Sequence, residues 1–295
     1  MSMLNARLFR IPLLVCGLLP GLAFAETLRF APLPMQEPET VMRETQPMLE
    51  YLSQELEVDF EIRYATDYDD ILERFRNGTV DLAYLGPLPY VLLRDRCPSA
   101  TPVVAFREPG GEARYTCSVV MFADKLRPLD DLTDQPVALT QPLSTCGYLA
   151  TARLLRDGGT RLAATDYRYF GHHDDVALAV VRGEAVAGGV KTHIARKYAH
   201  LGLDTVAESE PLPGFALVAN RQTVSDARLQ ELRQALVHLR PEESEEDAAR
   251  MAEWGESLRH GAQAVDDEDY APIRRLRGEV TIPELVIPDL TVPAP

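Results

Sequence analysis

Ser144-Thr145-Cys146-Gly147 lies between Pro136–Thr140, a short apolar run that reads as a strand, and Tyr148–Leu155, which reads as a helix. A strand that feeds a helix through small hydroxyl residues and a glycine leaves backbone N–H groups unpaired at the helix start. Those donors, two hydroxyls and the positive end of the helix dipole together form a socket for an oxyanion. Ser and Thr are also ordinary N-cap residues, so the stretch alone fits both a binding loop and a plain cap.

Outward from the socket, short strands alternate with helices, the pattern of an α/β sheet. Upstream, Thr27–Ala31, Val58–Tyr64 and Val80–Leu85 read as strands, and Glu44–Leu56 and Tyr68–Arg76 as helices. Val103–Phe106 and Tyr115–Phe122 flank Glu108-Pro109-Gly110-Gly111 and are expected to pair as a hairpin. Downstream come strands at Asp166–Phe170, Ala185–Val190 and Gly214–Ala219. Helices are expected at Asp174–Arg182, Thr192–His200, Asp226–Leu239 and Glu246–Trp254. From Glu279 the chain alternates proline with apolar residues, which suits an extended, loosely docked tail.

The ends and the charge narrow the function. Arg7 and Arg10, the apolar run Ile11–Leu19 and Ala23-Phe24-Ala25 have the order of a secretory signal peptide, which places the mature start at Glu26. Cys16 lacks the small residue before it that a lipoprotein site wants, so a soluble exported protein is expected. The net charge is −15, and loss of the two leader arginines makes it more negative. Nucleic acid is thereby excluded as a partner, because its phosphates need a basic face. No cysteine or histidine spacing suits a metal site, and neither a metal nor a cofactor is expected. Of the cysteines after the leader, Cys97 and Cys117 are candidates for a bridge, which would leave Cys146 as a thiol.

Three segments, in this order, resemble the phosphonate-binding periplasmic proteins of ABC transporters. They are Asp81–Pro87, Ser144–Tyr148, and Gly171–Asp175 with the helix and strand through Ala187. The closing Asp269–Ile273 is also similar to that family. The resemblance implies a type II periplasmic binding fold, two α/β lobes joined by a hinge with a ligand cleft between them. It implies a first lobe at 26–118 resumed at 212–278 and a second lobe at 119–211, and only the proline-rich tail at 279–295 falls outside the resemblance. By position it carries Ser144, Thr145, Cys146 and Gly147 as the anion loop and His173, with His172 as the alternate, as the binding histidine. Tyr68 and Tyr115 would wall the pocket, and Tyr84 and Gly86 would stand at its mouth. Tyr84 and Tyr115 also suit plain packing, and Lys191 reads either as a cation that offsets an anion or as a surface lysine.

Two departures from the family pattern bear on the ligand. Cys146 stands where the family has a third hydroxyl, and Phe215 stands where it has an acid that receives an amine. The resemblance then implies periplasmic capture of a small phosphorus-type oxyanion without an amine, for an ABC permease with its ATPase, and no catalysis. A second reading keeps the fold and makes the chain a sensor of a soft oxyanion, arsenite-like, held by Cys146 and reported to a sensor histidine kinase. A third makes Cys146 and His173 the centre of a thiol enzyme.

Overall fold

The computed structural model describes residues 26–285, so the expected signal peptide lies outside the described residues, as does the end of the tail. Two sheets carry the chain. The first contains β1 (Thr27–Ala31), β2 (Asp59–Ile62), β3 (Leu82–Leu85), β4 (Ala100–Phe106), β12 (Ala216–Asn220) and β13 (Ala262–Ala264), in the order β13-β4-β12-β3-β1-β2. The second contains β6 (Cys117–Phe122), β7 (Pro136–Leu139), β8 (Asp166–Tyr169), β9 (Ala187–Lys191) and β10 (Leu203–Glu208), in the order β10-β6-β9-β7-β8. Between them, β5 (Arg114–Tyr115) pairs antiparallel with β11 (Leu212–Pro213), and both crossings of the chain pass through this pair.

The helices on the first sheet are α1 (Pro38–Leu56), α2 (Tyr68–Arg76), α3 (Pro87–Arg96) and α7 (Asp226–His238); α8 (Glu245–Met251) follows α7, and α9 (Ala271–Glu279) packs against α3 and β11. Those on the second are α4 (Thr151–Asp157), α5 (His173–Val181) and α6 (Thr192–Tyr198). α1 starts before the expected Glu44 because Pro38 sits in its first turn, where a missing N–H costs nothing. Its buried stripe of Val41, Met48, Leu49 and Leu52 has the spacing of one helix face. Asp81, just before β3, accepts hydrogen bonds from the backbone N–H and the guanidinium of Arg29 and so ties β3 to β1.

Three expectations are corrected. β4 and β6 do not form a hairpin: β4 pairs with β12 and β13, whereas β6 pairs with β9 and β10 in the other sheet. The glycines between them form a turn, but the arms diverge into different lobes. Cys117 is bridged to Cys146, with their Cα atoms 5.1 Å apart, and Cys97 is a buried free thiol. The tail is firmly seated where it begins. Glu279 takes Arg153 and Arg156 of α4, Tyr148 Oη donates to the carbonyl of Thr281, and Ile282 is buried.

Candidate functional site

The ends of several strands face one another between the sheets, and most are followed by a helix. Ser144 is the N-cap of a helix that opens with a wide, π-type turn, Thr145–Ala150, and continues as α4. Its hydroxyl oxygen accepts from the N–H of Gly147 at 3.0 Å. The cap and binding readings are therefore compatible, because the hydroxyl proton remains available as a donor. The N–H groups of Thr145 and Cys146 have no partner among the described residues, as expected for the first turn of a helix.

Across the gap stands α3, which the sequence reading passed over. Its first turn reads Pro87-Leu88-Pro89 behind the N-cap Gly86, so two of its early residues have no N–H to offer. The single donor left there, Leu88 N–H, is accepted by Thr145 Oγ1 at 3.0 Å. One hydroxyl thus joins the two halves, and it also lies beside the Tyr115 phenol.

Leu33, Tyr68, Gly86, Pro89, Tyr115, Ser144, Thr145, Cys146, His173, Lys191 and Phe215 enclose a cavity of about 10 Å3. That is scarcely room for one water, so the two lobes are drawn together on it. Seven of the residues carried by sequence are on this wall: Tyr68, Gly86, Tyr115, Ser144, Thr145, Cys146 and His173. Tyr84 and Gly147 are not. The Tyr84 ring lies behind, 5.5 Å from Phe215 and 5.6 Å from Phe106 between centroids. Gly147 answers a packing demand, since a Cβ there would come within 1.8 Å of Thr140 Oγ1.

His173, not His172, reaches the cavity. It is the first residue of α5, and its Nδ1 accepts from the backbone N–H of Lys191 at 3.4 Å. Burial, reinforced by the Lys191 charge, lowers its pKa from 6.5 to about 3. The ring is neutral near pH 7, and with Nδ1 accepting it carries its proton on Nε2 as a donor. Tyr115 Oη is buried and makes no hydrogen bond of good geometry among the described residues, although the Thr145 hydroxyl beside it tempers its pKa; burial pushes the phenol pKa well up, which keeps it a protonated donor. A buried phenol without an acceptor, on the wall of a cavity, calls for an acceptor from outside the chain.

Two features of the wall were missed or misread. Lys191 is not a surface lysine: it is 4% exposed and pairs with Glu108 at 2.7 Å. A charge closing the buried run of β9 was the available signal, because strand ends in such sheets face the ligand crevice. Cys146 offers no thiol in the bridged form, so neither thiolate coordination nor thiol catalysis is open to it. What remains is a set of neutral donors (hydroxyls, N–H groups, a phenol and an imidazole) with one helix dipole behind the loop, an arrangement suited to holding an oxyanion.

Residues 30–270 match the family model for the periplasmic substrate-binding protein of phosphonate ABC transporters. The phosphate-import protein PhnD of Mycolicibacterium smegmatis is 28% identical over 280 residues, covering 86% of this chain and 85% of that protein. Among solved structures, PhnD1 of Prochlorococcus marinus in complex with methylphosphonate matches with a TM-score of 0.74 at 15% identity, over 86% of this chain and 98% of that one. The binding-protein component of an ABC phosphonate transporter of Pseudomonas aeruginosa matches with a TM-score of 0.73 at 21% identity, over 86% of each chain.

Proposed function

The chain belongs to the phosphonate-binding periplasmic substrate-binding family of ABC transporters and has the two-lobed, type II fold of its structural neighbours; on that premise we propose that it captures a small phosphorus oxyanion without an amine for import. Methylphosphonate, phosphite and phosphate are the ligands that suit the donors. The family is one of solute-binding transport proteins, and we assign the chain no catalysis. Its partners are a membrane permease and its ATPase, and its compartment is the periplasm, reached through the expected leader. The lobes we assign, 26–118 with 212–278 and 119–211, are supported by which sheet each strand joins, except that β6 joins the second sheet from Cys117 onward.

The observation that carries the ligand class is the unpartnered Tyr115 hydroxyl beside the Ser144–Thr145 loop. Ser144, Thr145, the free loop N–H groups and His173 Nε2 would donate from one lobe. Tyr68 would close from the other and Tyr115 from the hinge strand. The ligand stabilises the closed arrangement over the open one, and the permease reads that difference. The sensor reading depended on a soft ligand at a Cys146 thiol, and the Cys117–Cys146 bridge removes its support.

A melting-temperature screen of oxidised protein tests the proposal, with phosphate, phosphite, methylphosphonate, sulfate, arsenate and arsenite at equal concentration. A ligand present at 100 times its Kd adds about 2.7 kcal/mol to the folded state. One or more of the phosphorus anions should raise the midpoint by several degrees and arsenite should not. A shift with arsenite alone, or with none of the six, would overturn it.

A further inference from the structure

Lys191 is the cation on the cavity wall, and the donor set described above does not use it. Its ammonium is 2.7 Å from Glu108 Oε1, 4.6 Å from the Phe215 ring centroid and 4.8 Å from that of Tyr115. Two aromatic faces and a carboxylate around one ammonium form a box of the kind that recognises organic ammonium ions. The box adjoins the socket, because Lys191, Tyr115 and Phe215 all share the cavity with Ser144 and Thr145. Glu108, Lys191 and His173 also line a neighbouring chamber of about 110 Å3, which gives a ligand substituent somewhere to go once the box is free.

We propose that Lys191 fills this box with its own ammonium and is thereby a specificity-determining residue that shuts out zwitterionic aminoalkylphosphonates. The inference rests on the reading of the socket as a phosphorus-oxyanion site. A ligand that carries both a phosphonate and an ammonium meets a buried like charge where its amine must lie. The carboxylate that could receive that amine is already paired. Displacing Lys191 leaves its charge without Glu108, so rejection comes from repulsion and a lost partner together. An anion without an amine meets neither obstacle.

Methylphosphonate and 2-aminoethylphosphonate are titrated by calorimetry into wild type, Lys191→Ala and Lys191→Met, each checked for cooperative melting. Wild type should prefer methylphosphonate by at least about tenfold. Lys191→Ala vacates the box and should move the ratio of the two affinities toward 2-aminoethylphosphonate by at least about tenfold, whereas Lys191→Met refills it with an uncharged chain and should not. Methylammonium added to Lys191→Ala should raise its melting temperature, and the same salt added to wild type should not. Equal binding of both ligands by wild type overturns the proposal even if no variant folds. So does an unchanged ratio in a Lys191→Ala protein that still binds methylphosphonate, and that result leaves the oxyanion reading standing. Failure of wild type to bind any phosphorus anion overturns the oxyanion reading itself.

Discussion

Thr145 concentrates the argument at the scale of single residues. Its hydroxyl accepts Leu88 N–H across the cleft, lies beside the Tyr115 phenol, and on the proposed reading turns its proton to the ligand. Thr145→Val preserves shape and deletes both roles. Hydrogen bonds to charged groups are worth about 1.5–3 kcal/mol, so affinity should fall by roughly one to two powers of ten. His173 makes a different prediction. Its folded pKa of about 3 lies below the ordinary 6.5. Between those values the unfolded chain binds more protons than the folded one, so stability rises with pH through that window. The contribution is complete above about pH 6.5 and is lost as pH falls toward 3. Urea midpoints measured from pH 7 to 4 should drop less steeply for His173→Gln than for wild type; parallel curves would place the protonation elsewhere. Asp174 on the same helix opposes the shift and His172 adds to it, but both are smaller than burial and Lys191.

At the scale of elements, the legible parts of the fold were those with a periodic signal. β3, β7 and β9, and the helices α2, α5 and α7, lie within a few residues of their expected places because their apolar spacing and stop signals agree. α3 escaped because it is buried from Pro87 through Leu93, which erases the amphipathic period, and only proline at its start marked it. The β4–β6 hairpin was misread because a local turn signal says nothing about whether its arms stay in one sheet. The candidate Cys97–Cys117 bridge falls with the hairpin that suggested it, and the fold instead brings Cys146 to the first residue of β6. That bridge closes a separation of 29 residues and ties the anion loop to the strand that leaves the hinge. A Cys117→Ser, Cys146→Ser double variant should lose about 2–4 kcal/mol of stability. It should also bind its ligand more weakly, since a looser loop must be ordered on binding. A stability equal to oxidised wild type would show that the bridge constrains nothing. Gly147→Ala, with its Cβ driven into Thr140, should weaken binding in calorimetry although Gly147 does not line the cavity.

At the scale of the whole molecule, two sheets built separately meet at the ends of their strands, and the chain crosses between them at β5 and β11. This much followed from the alternation of elements and the order of motifs. That Ser144, Thr145 and His173 share one cavity wall was legible too, since each sits where a strand gives way to a helix. Which of the alternatives held for Lys191 and Tyr84, and the contact of Gly147 with Thr140, were not, because burial and side-chain neighbours are properties of the packed molecule. On the proposed reading closure is the functional motion, and the Thr145–Leu88 bond, which joins the two lobes, is its end point. Small-angle scattering should record a smaller radius of gyration with saturating ligand than without it, and Thr145→Val should need more ligand to reach the same value. A radius independent of ligand would mean that binding and lobe closure are not linked. The central claim is that the Ser144–Thr145 loop holds a phosphorus oxyanion, and titration calorimetry tests it most directly. Methylphosphonate, phosphite and phosphate are titrated into oxidised wild type and Thr145→Val. The account predicts saturable one-to-one binding of at least one of them by wild type, weakened at least about tenfold in the variant. Equal affinity in the two proteins would contradict it, and would leave the loop as a helix cap and nothing more.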